Sequence, residues 1–276
     1  MAGRLLAELA GYGRSLVAFS GGVDSSVALA AAVRALGPGE VAAVTAVSPS
    51  LPAAELAAAR AFCAALGVTH YTPATGELDL ADYRRNDPRR CYFCKSVLLD
   101  AAREVATRHD FAAVVTGTNA SDVTAGYRPG IRAAAERGAR TPLADLGLTK
   151  PSVRAIARLW QLSTWDKPAA PCLASRVAYG ITVTSARLAR IERAEAAVRS
   201  RLHAGGRAVR DLRVRDLGEK VRLELDAEAV SQARGDPDLL GAIRAAGFGG
   251  VPIDVRAFRT GSLNELLDDP QRWRDA

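Results

Sequence analysis

The sequence predicts an α/β protein: a doubly wound parallel sheet followed by a smaller C-terminal α+β domain. Three observations predict it. Short apolar runs alternate with alanine-rich helical segments through the first half of the chain. That order lays parallel strands side by side with helices across their faces. The first run breaks at a glycine pair, Gly21-Gly22, just before a helix. Beyond Gly180 the pattern changes to a long helix followed by two alternating strands around Gly218.

Residues 15–19, Ser-Leu-Val-Ala-Phe, form the first strand and feed a helix over 27–36. Residues 41–47 are a continuous apolar run, as suits a strand buried on both faces. A helix over 55–66 stops at Gly67, which fits a C′ position. Residues 68–73 are the third strand, 95–109 an amphipathic helix, and 112–116 the fourth strand, ending at Gly117-Thr118-Asn119. Ligands of such sheets sit at the C-terminal ends of the strands, where both the Gly22 and Gly117 loops fall. Further on, 188–202 is helical, and 212–215 with 221–225 alternate like a hairpin. Residues 227–246 are helical with an interruption at Gly235-Asp236-Pro237, and 251–255 form a further strand. The domains are drawn as 1–180 and 181–276.

At 276 residues there is room for one domain of ~150–200 residues and a smaller partner. An apolar content of 49% is enough for a core. The net charge of +7 suits anionic partners such as nucleotides, phosphorylated metabolites or RNA. The basic residues are scattered, with no run of five like charges, so a solvated surface accounts for most of them. Arg4, Glu8, Gly11, Gly13 and Arg14 leave no apolar signal-peptide segment in the first twenty residues. No window of 18 apolar residues spans a membrane. A cytoplasmic protein is expected. Four cysteines in such a chain argue against a disulfide framework and toward metal or catalytic use.

The stretch Ser20-Gly21-Gly22-Val23-Asp24-Ser25-Ser26 carries the most chemistry. Two glycines let the backbone approach a ligand without Cβ interference. Amides at the helix start, with the helix dipole, make an anion site. Ser20, Ser25 and Ser26 can add hydroxyl donors, and Asp24 can hold Mg²⁺ against phosphate oxygens. The lysine of a Walker P-loop is absent. The stretch resembles the PP-loop of ATP pyrophosphatases, which implies an adenine nucleotide alpha hydrolase-like sheet, ATP as cosubstrate and release of pyrophosphate.

Cys91-Tyr92-Phe93-Cys94 is a C-x-x-C placed just before a helix. Alone it reads as a redox pair, half a zinc site or part of an iron–sulfur site. Cys172 lies in Pro171-Cys172-Leu173-Ala174-Ser175-Arg176, an extended loop after Pro168. Cys63 sits on a helix and reads as a small buried apolar residue. Structural zinc normally takes four protein ligands. No second C-x-x-C exists and His70, His109 and His203 lie far from these motifs, so zinc is the weaker choice. A three-cysteine 4Fe–4S cluster leaves one iron open, which suits sulfur transfer.

With Arg90 to Lys95, Gly117-Thr118-Asn119, Tyr127-Arg128-Pro129-Gly130, Pro171 to Arg176 with Tyr179-Gly180, Arg213-Val214-Arg215 and Gly261-Ser262-Leu263-Asn264, the chain resembles the LarE family of ATP-dependent sulfur transferases. The resemblance covers almost the whole chain. It departs at Gly126, where an acidic residue is expected before Tyr127. The family implies adenylation of a carboxylate of pyridinium-3,5-biscarboxylic acid mononucleotide, then its conversion to a thiocarboxylate on the way to a nickel-pincer cofactor. Members with one cysteine sacrifice the counterpart of Cys172. Members with all three use a 4Fe–4S cluster, so Cys91, Cys94 and Cys172 are expected to be catalytic and to hold iron.

Further residues complete the expected site. Asn119 and Asp122 follow a strand end and contact the nucleotide or form a polar turn. Arg176, Arg213 and Arg215 are candidates for the substrate phosphate. Arg213 and Arg215 share one strand face, as an anion-binding fork or an exposed basic face. Glu195, one helical turn from Glu192, is the candidate metal- or base-related carboxylate at the substrate, or both glutamates lie on a solvated helix face. Tyr92 and Phe93 pack beside the cluster or stack on a ring, or serve as aromatic core packing, which is the preferred reading. Partners are then ATP, Mg²⁺, the mononucleotide and sulfide or another sulfur donor, with a homo-oligomer expected and no membrane or nucleic acid. Two other enzyme classes fit the loop. A tRNA thiolase needs an RNA-binding extension that the chain lacks. An amidating ligase of the NAD or GMP synthetase kind would leave three cysteines idle. A nucleotide-sensing or iron–sulfur carrier protein is the non-enzymatic choice.

Overall fold

A computed structural model describes residues 1–126 and 128–259. In chain order, α1 (Ala2–Ala10), β1 (Ser15–Ala18), α2 (Val23–Leu36), β2 (Val41–Val44), α3 (Ala53–Ala65) and β3 (Thr69–Tyr71) come first. Then follow α4 (Ala81–Arg84), α5 (Arg90–Arg108), β4 (Ala113–Thr116), α6 (Ala120–Thr124), α7 (Pro129–Glu136), α8 (Pro142–Asp145) and α9 (Lys150–Leu159). The chain continues with α10 (Ser185–Ala204), β5 (Leu212–Asp216), β6 (Val221–Leu225), α11 (Ala227–Arg234), α12 (Pro237–Ile243) and β7 (Ile253–Ala257). Two compact units result. One is Met1–Glu77 with Cys91–Ala170; the other is Leu78–Arg90 with the chain from Pro171 on.

The first unit holds a parallel sheet in the order β3-β2-β1-β4. Ser15–Ala18 pairs in register with Val41–Val44 on one side and Ala113–Thr116 on the other. β1 is therefore central, and its alternate residues feed two cores. Val17 packs with Leu5, Leu9, Val27, Val153 and Ile156, whereas Leu16 packs with Ala102 and Val105 of α5. Each fully buried Val or Leu side chain contributes roughly 1.5–3 kcal/mol relative to exposure. Helices on both faces explain why β1 and β2 are buried along their whole length, Ser15 being the one polar residue in them. This is the doubly wound α/β arrangement expected.

Several boundaries differ from the sequence reading. α5 begins at Arg90, so Cys91 and Cys94 lie in its first turn, not ahead of it. Asp87 starts that turn: its carbonyl accepts from Arg90 N and its carboxylate from Arg89 N. Cys172 caps a short 3₁₀ turn, Leu173–Arg176, where a fully extended loop was expected. Helices α1 and α9 were not anticipated. α9 starts with Thr149 as N-cap and Pro151 in the first turn, and buries Val153, Ile156 and Ala157.

In the second unit β5 and β6 form the expected antiparallel hairpin, and β7 adds parallel to β6. Residues 78–90 are bound into this unit by Asn86. Its fully buried side-chain amide donates to the carbonyls of Val177 (3.3 Å), Ala178 (2.7 Å) and Ile181 (3.0 Å). The unit division therefore falls at 170/171, ahead of the boundary drawn at Gly180.

Asp216, at the end of β5, is fully buried and accepts from Arg187 (2.8 Å), Arg190 (2.5 Å) and the Gly218 amide (3.1 Å). Burial alone raises a carboxylate pKa, but these donors outweigh it and hold Asp216 below its ordinary value. A depressed folded pKa means stability that is present above the unfolded value of ~3.9 and lost as pH falls through the folded one. Asp216→Asn is expected to lower the urea midpoint at pH 7 and to flatten the loss below about pH 5. Parallel pH profiles for wild type and mutant would contradict this role.

Candidate active site

The glycine loop leaves β1 under tight control. Phe19 N donates to Val44 O (2.8 Å), and the Thr45 hydroxyl donates to Phe19 O (2.6 Å). His70 Nε2 lies 2.8 Å from the same hydroxyl. Thr45 has given away its one proton, so His70 must donate through Nε2. Desolvation and Arg60 both lower the His70 pKa, which favours that neutral form. Gly21 then turns with φ +71°, open to glycine and costly for other residues. Gly22 is the N-cap of α2. Ser25 and Ser26 are buried and give their hydroxyl protons to Gly22 O, at 3.0 Å each. Ser20 N donates to Ser25 Oγ (3.2 Å), and the two hydroxyls lie 3.1 Å apart. The serines thus brace the loop from within, while the first-turn amides of α2 have no intrahelical acceptors.

The loop after β4 closes on this helix start. A Cβ on Gly117 would lie 2.6 Å from Ser25 N and 2.8 Å from Asp24 C. Only glycine allows that approach. Asn119, 1% exposed, caps α6, accepting from Asp122 N (3.1 Å). Its Nδ2 donates to Asp122 Oδ2 (2.8 Å) and to Asp24 Oδ1 (3.2 Å). Three residues picked from sequence, Asp24, Asn119 and Asp122, are thereby joined in one network.

Two lysines that sequence reasoning missed complete it. Lys150, at the start of α9, places Nζ 2.5 Å from Asp24 Oδ2. Lys167 donates to Gly21 O (3.0 Å) and to Glu55 Oε2 (2.6 Å). Arg154 anchors the Lys167 segment to α9 through the carbonyls of Trp165 (2.7 Å) and Lys167 (3.0 Å). A signal was present: only Lys95, Lys150, Lys167 and Lys220 are lysines among 37 basic residues. A lysine supplies a compact point charge where an arginine would present a planar fork. The Lys150 side chain is 40% exposed and Asp24 22% exposed. Ion pairs so open to solvent contribute only ~0–1 kcal/mol, so this one is readily exchanged. The Asp24 carboxylate, already facing an ammonium at the loop, has the donor chemistry a hard cation requires.

Cys63 is buried and apolar, as expected, its thiol pushed up to about 12 by desolvation. Cys91 is exposed, and Cys94 and Cys172 are half-buried. Cys91 and Cys94 stand three apart on one helix and so share a face. Gly130 of α7 packs on that turn, its Cβ position 3.6 Å from Cys91 O and from Lys95 Cβ. Desolvation lowers the Lys95 pKa, and Cys94 opposes the shift. Tyr92 is not core packing: its hydroxyl bonds Glu136 (2.5 Å) and Arg132 lies 4.9 Å over its ring. Phe93 meets the Tyr92 ring edge-on at 5.5 Å. Among the described residues no group of three or more His, Cys, Asp or Glu is gathered to hold a metal ion. Two thiols on one helix turn supply the donor type and spacing a cluster takes; the third thiol belongs to the second unit.

In that unit Arg176, Arg213, Arg215 and Glu195 come together. Arg176 Nε and Nη2 grip Glu195 at 2.9 and 3.1 Å. Arg176 Nη1 also reaches Cys172 O (3.0 Å), and Glu195 accepts from Val214 N (3.0 Å). Arg215 pairs with Glu224 and donates to Ser175 O (2.9 Å). Desolvation lowers the Arg213 pKa, with Arg176 adding to the effect. Arg213 and Arg215 are 6% exposed, which overturns the exposed basic face. Arg90, the residue before Cys91, donates to Ala174 O (2.9 Å), two residues after Cys172. Tyr127 and residues 261–264, which carried part of the resemblance, lie outside the described residues.

A parallel sheet whose first strand ends in this lysine-flanked glycine turn defines an ATP-utilising enzyme of the PP-loop class. The asparagine synthase family matches residues 13–241. An uncharacterized protein of Synechocystis sp. is 41% identical over 92% of this chain and 93% of its own length. The pyridinium-3,5-bisthiocarboxylic acid mononucleotide synthase of Lactiplantibacillus plantarum is 31% identical over 97% of this chain and 95% of its own. Within the PP-loop class, the chain belongs to the LarE family of that synthase. Among the described residues no helix is long and apolar enough to cross a membrane.

Proposed function

We propose that this protein is an ATP-dependent sulfur transferase acting on pyridinium-3,5-biscarboxylic acid mononucleotide. ATP binds with its phosphates on the Ser20–Ser26 loop, and Asp24 holds Mg²⁺. Asn119 and Asp122 orient Asp24. A substrate carboxylate oxygen attacks the α-phosphorus, the bond to the β-phosphate oxygen breaks, and pyrophosphate leaves toward the α2 amides. The acyl-adenylate now carries AMP as leaving group. A sulfur nucleophile attacks the acyl carbon, AMP departs with the C–O electron pair, and a thiocarboxylate remains. Arg176, Arg213 and Arg215 hold the substrate phosphate, with Glu195 fixing Arg176. Their gathering in one place supports this reading: Arg176 and Val214 N both bond Glu195, and Arg215 bonds Ser175 O, next to Arg176.

Cys91, Cys94 and Cys172 would hold a 4Fe–4S cluster, which when bound supplies sulfide from its open iron. The bond from Arg90 to Ala174 carries this part: it ties the residue before Cys91 to the turn that Cys172 caps. Sulfide or another small donor reloads the sulfur, in a cytoplasmic homo-oligomer.

The test is anaerobic purification with iron and acid-labile sulfide quantified for wild type and Cys172→Ala. About four irons per chain, lost in the mutant, is expected for a cluster with three thiolate ligands. Iron-free wild type that loses sulfur once from Cys172 would establish sacrificial transfer instead. ATP-dependent pyrophosphate release that responds to tRNA and not to the mononucleotide would point to a tRNA thiolase.

A further inference from the structure

We infer that Lys150 and Lys167 supply the cationic charge that the glycine loop lacks, and that Lys150 occupies the metal position at Asp24 until MgATP arrives. This rests on the reading of the loop as the ATP site.

A Walker loop carries its own lysine; this loop has none between Ser20 and Ser26. A triphosphate there meets backbone amides and hydroxyls, but the protons of Ser25 and Ser26 are already committed to Gly22 O. The structure brings two ammonium groups to the loop from far along the chain. Lys167 Nζ is fixed on the Gly21 carbonyl, at the turn itself. Lys150 Nζ sits on Asp24, in the first turn of α2. Both are held by one element: Lys150 opens α9, and Arg154, one turn later, grips the backbone that presents Lys167.

Lys150 and a divalent cation need the same carboxylate. When MgATP binds, the metal takes Asp24, and Lys150 Nζ moves to an oxygen of the β- or γ-phosphate. No bond is made or broken covalently; one ion pair is exchanged for two. Lys150 then neutralises pyrophosphate as its charge grows on leaving. Lys167 cannot exchange in the same way, because Glu55 and Gly21 O hold it from two sides; it stays as a fixed charge.

Metal without nucleotide must displace Lys150 and offers it no new partner. Metal and phosphate therefore favour each other's binding, and the coupling runs through Lys150. The wild type should bind Mn²⁺ alone weakly and take it up with pyrophosphate. Lys150→Met, which keeps the length and removes the charge, should bind Mn²⁺ alone at least about tenfold more tightly. It should bind magnesium pyrophosphate at least about tenfold more weakly, with AMP affinity unchanged. Both titrations read binding by calorimetry or by the Mn²⁺ spin signal, without turnover. Lys150→Arg, which retains the charge, should keep Mn²⁺ alone weak; Lys150→Gln, polar but uncharged, should repeat the gain and serves if Lys150→Met proves unstable.

If wild type binds MgATP and pyrophosphate but the uncharged variant matches it for Mn²⁺ and pyrophosphate, the exchange is wrong and the ATP site stands. If wild type binds neither nucleotide nor pyrophosphate, the ATP-site reading falls, and this inference falls with it.

Discussion

Gly117→Ala is expected to abolish high-affinity ATP binding and to destabilise the first unit. The added methyl would lie 2.6–2.9 Å from Ser25 N, Asp24 C and Ser25 Cα. All three are backbone atoms, so no rotamer change relieves the overlap; the start of α2 must move away from β4. Overpacking in a close-fitted core costs about 1–3 kcal/mol, and this site is at the upper end because the partner is main chain. The displaced atoms are the ones that carry Asp24 and the first-turn amides of α2, the proposed phosphate site. A shift near 1 Å at reacting groups lowers rates by roughly 10²-fold. ATP titration and urea unfolding together measure both effects. An alanine variant within twofold of wild type for ATP, at equal stability, would refute the packing argument.

Arg176→Ala should have the largest effect in the second unit. The guanidinium is 4% exposed and grips Glu195 with two nitrogens. Removing one partner of a buried ion pair leaves the other charged in a poor solvent and costs about 3–5 kcal/mol. The same arginine holds the carbonyls of Pro171 and Cys172, so the Cys172 thiol should also react faster with an alkylating reagent. Adding Glu195→Gln should recover part of the lost stability, since the stranded charge is gone, while the fast alkylation persists. That split separates an ion-pair effect from loss of the backbone anchor. A single mutant that unfolds at the wild-type urea midpoint would show that Arg176 contributes nothing by pairing.

Legibility in the sequence followed range. The parallel strands and the hairpin were readable because their cause is local: β1 after Ser15 and all of β2 are apolar since both faces are covered, and β5 and β6 alternate around Gly218. Boundaries failed where a polar side chain far from the apolar pattern sets the start. Asp87 begins α5 five residues early and so draws the cysteines into a helix. The loop from Ser20 to Ser26 announced itself, whereas Lys150 and Lys167 did not. They lie 126 and 146 residues from their partners; the rarity of lysine in the chain singles them out, but nothing in the local pattern marks such a pairing. Arg213 and Arg215 show the opposite error. Alternating arginines look like a solvent face until Glu224, paired with Arg215, and Glu195, whose charge acts on Arg213, are seen beside them.

The assignment of residues 78–90 to the second unit bears on how the chain can fold as it is made. When residue 170 has left the ribosome, every residue of the parallel-sheet unit is available. Asn86 at that moment has none of its three carbonyl acceptors, because 177, 178 and 181 are not yet synthesised. The thirteen residues Leu78–Arg90 must wait as an open excursion, at a modest loop-closure cost that grows only slowly with length. The first unit can therefore form early around the sheet, while the turn leading into Cys91 and Cys94 is completed last. Assembly of the cysteine-bearing end is thus timed by release of the C-terminal half, and a shortened chain ending near 170 would keep its sheet but lack the partners of Asn86.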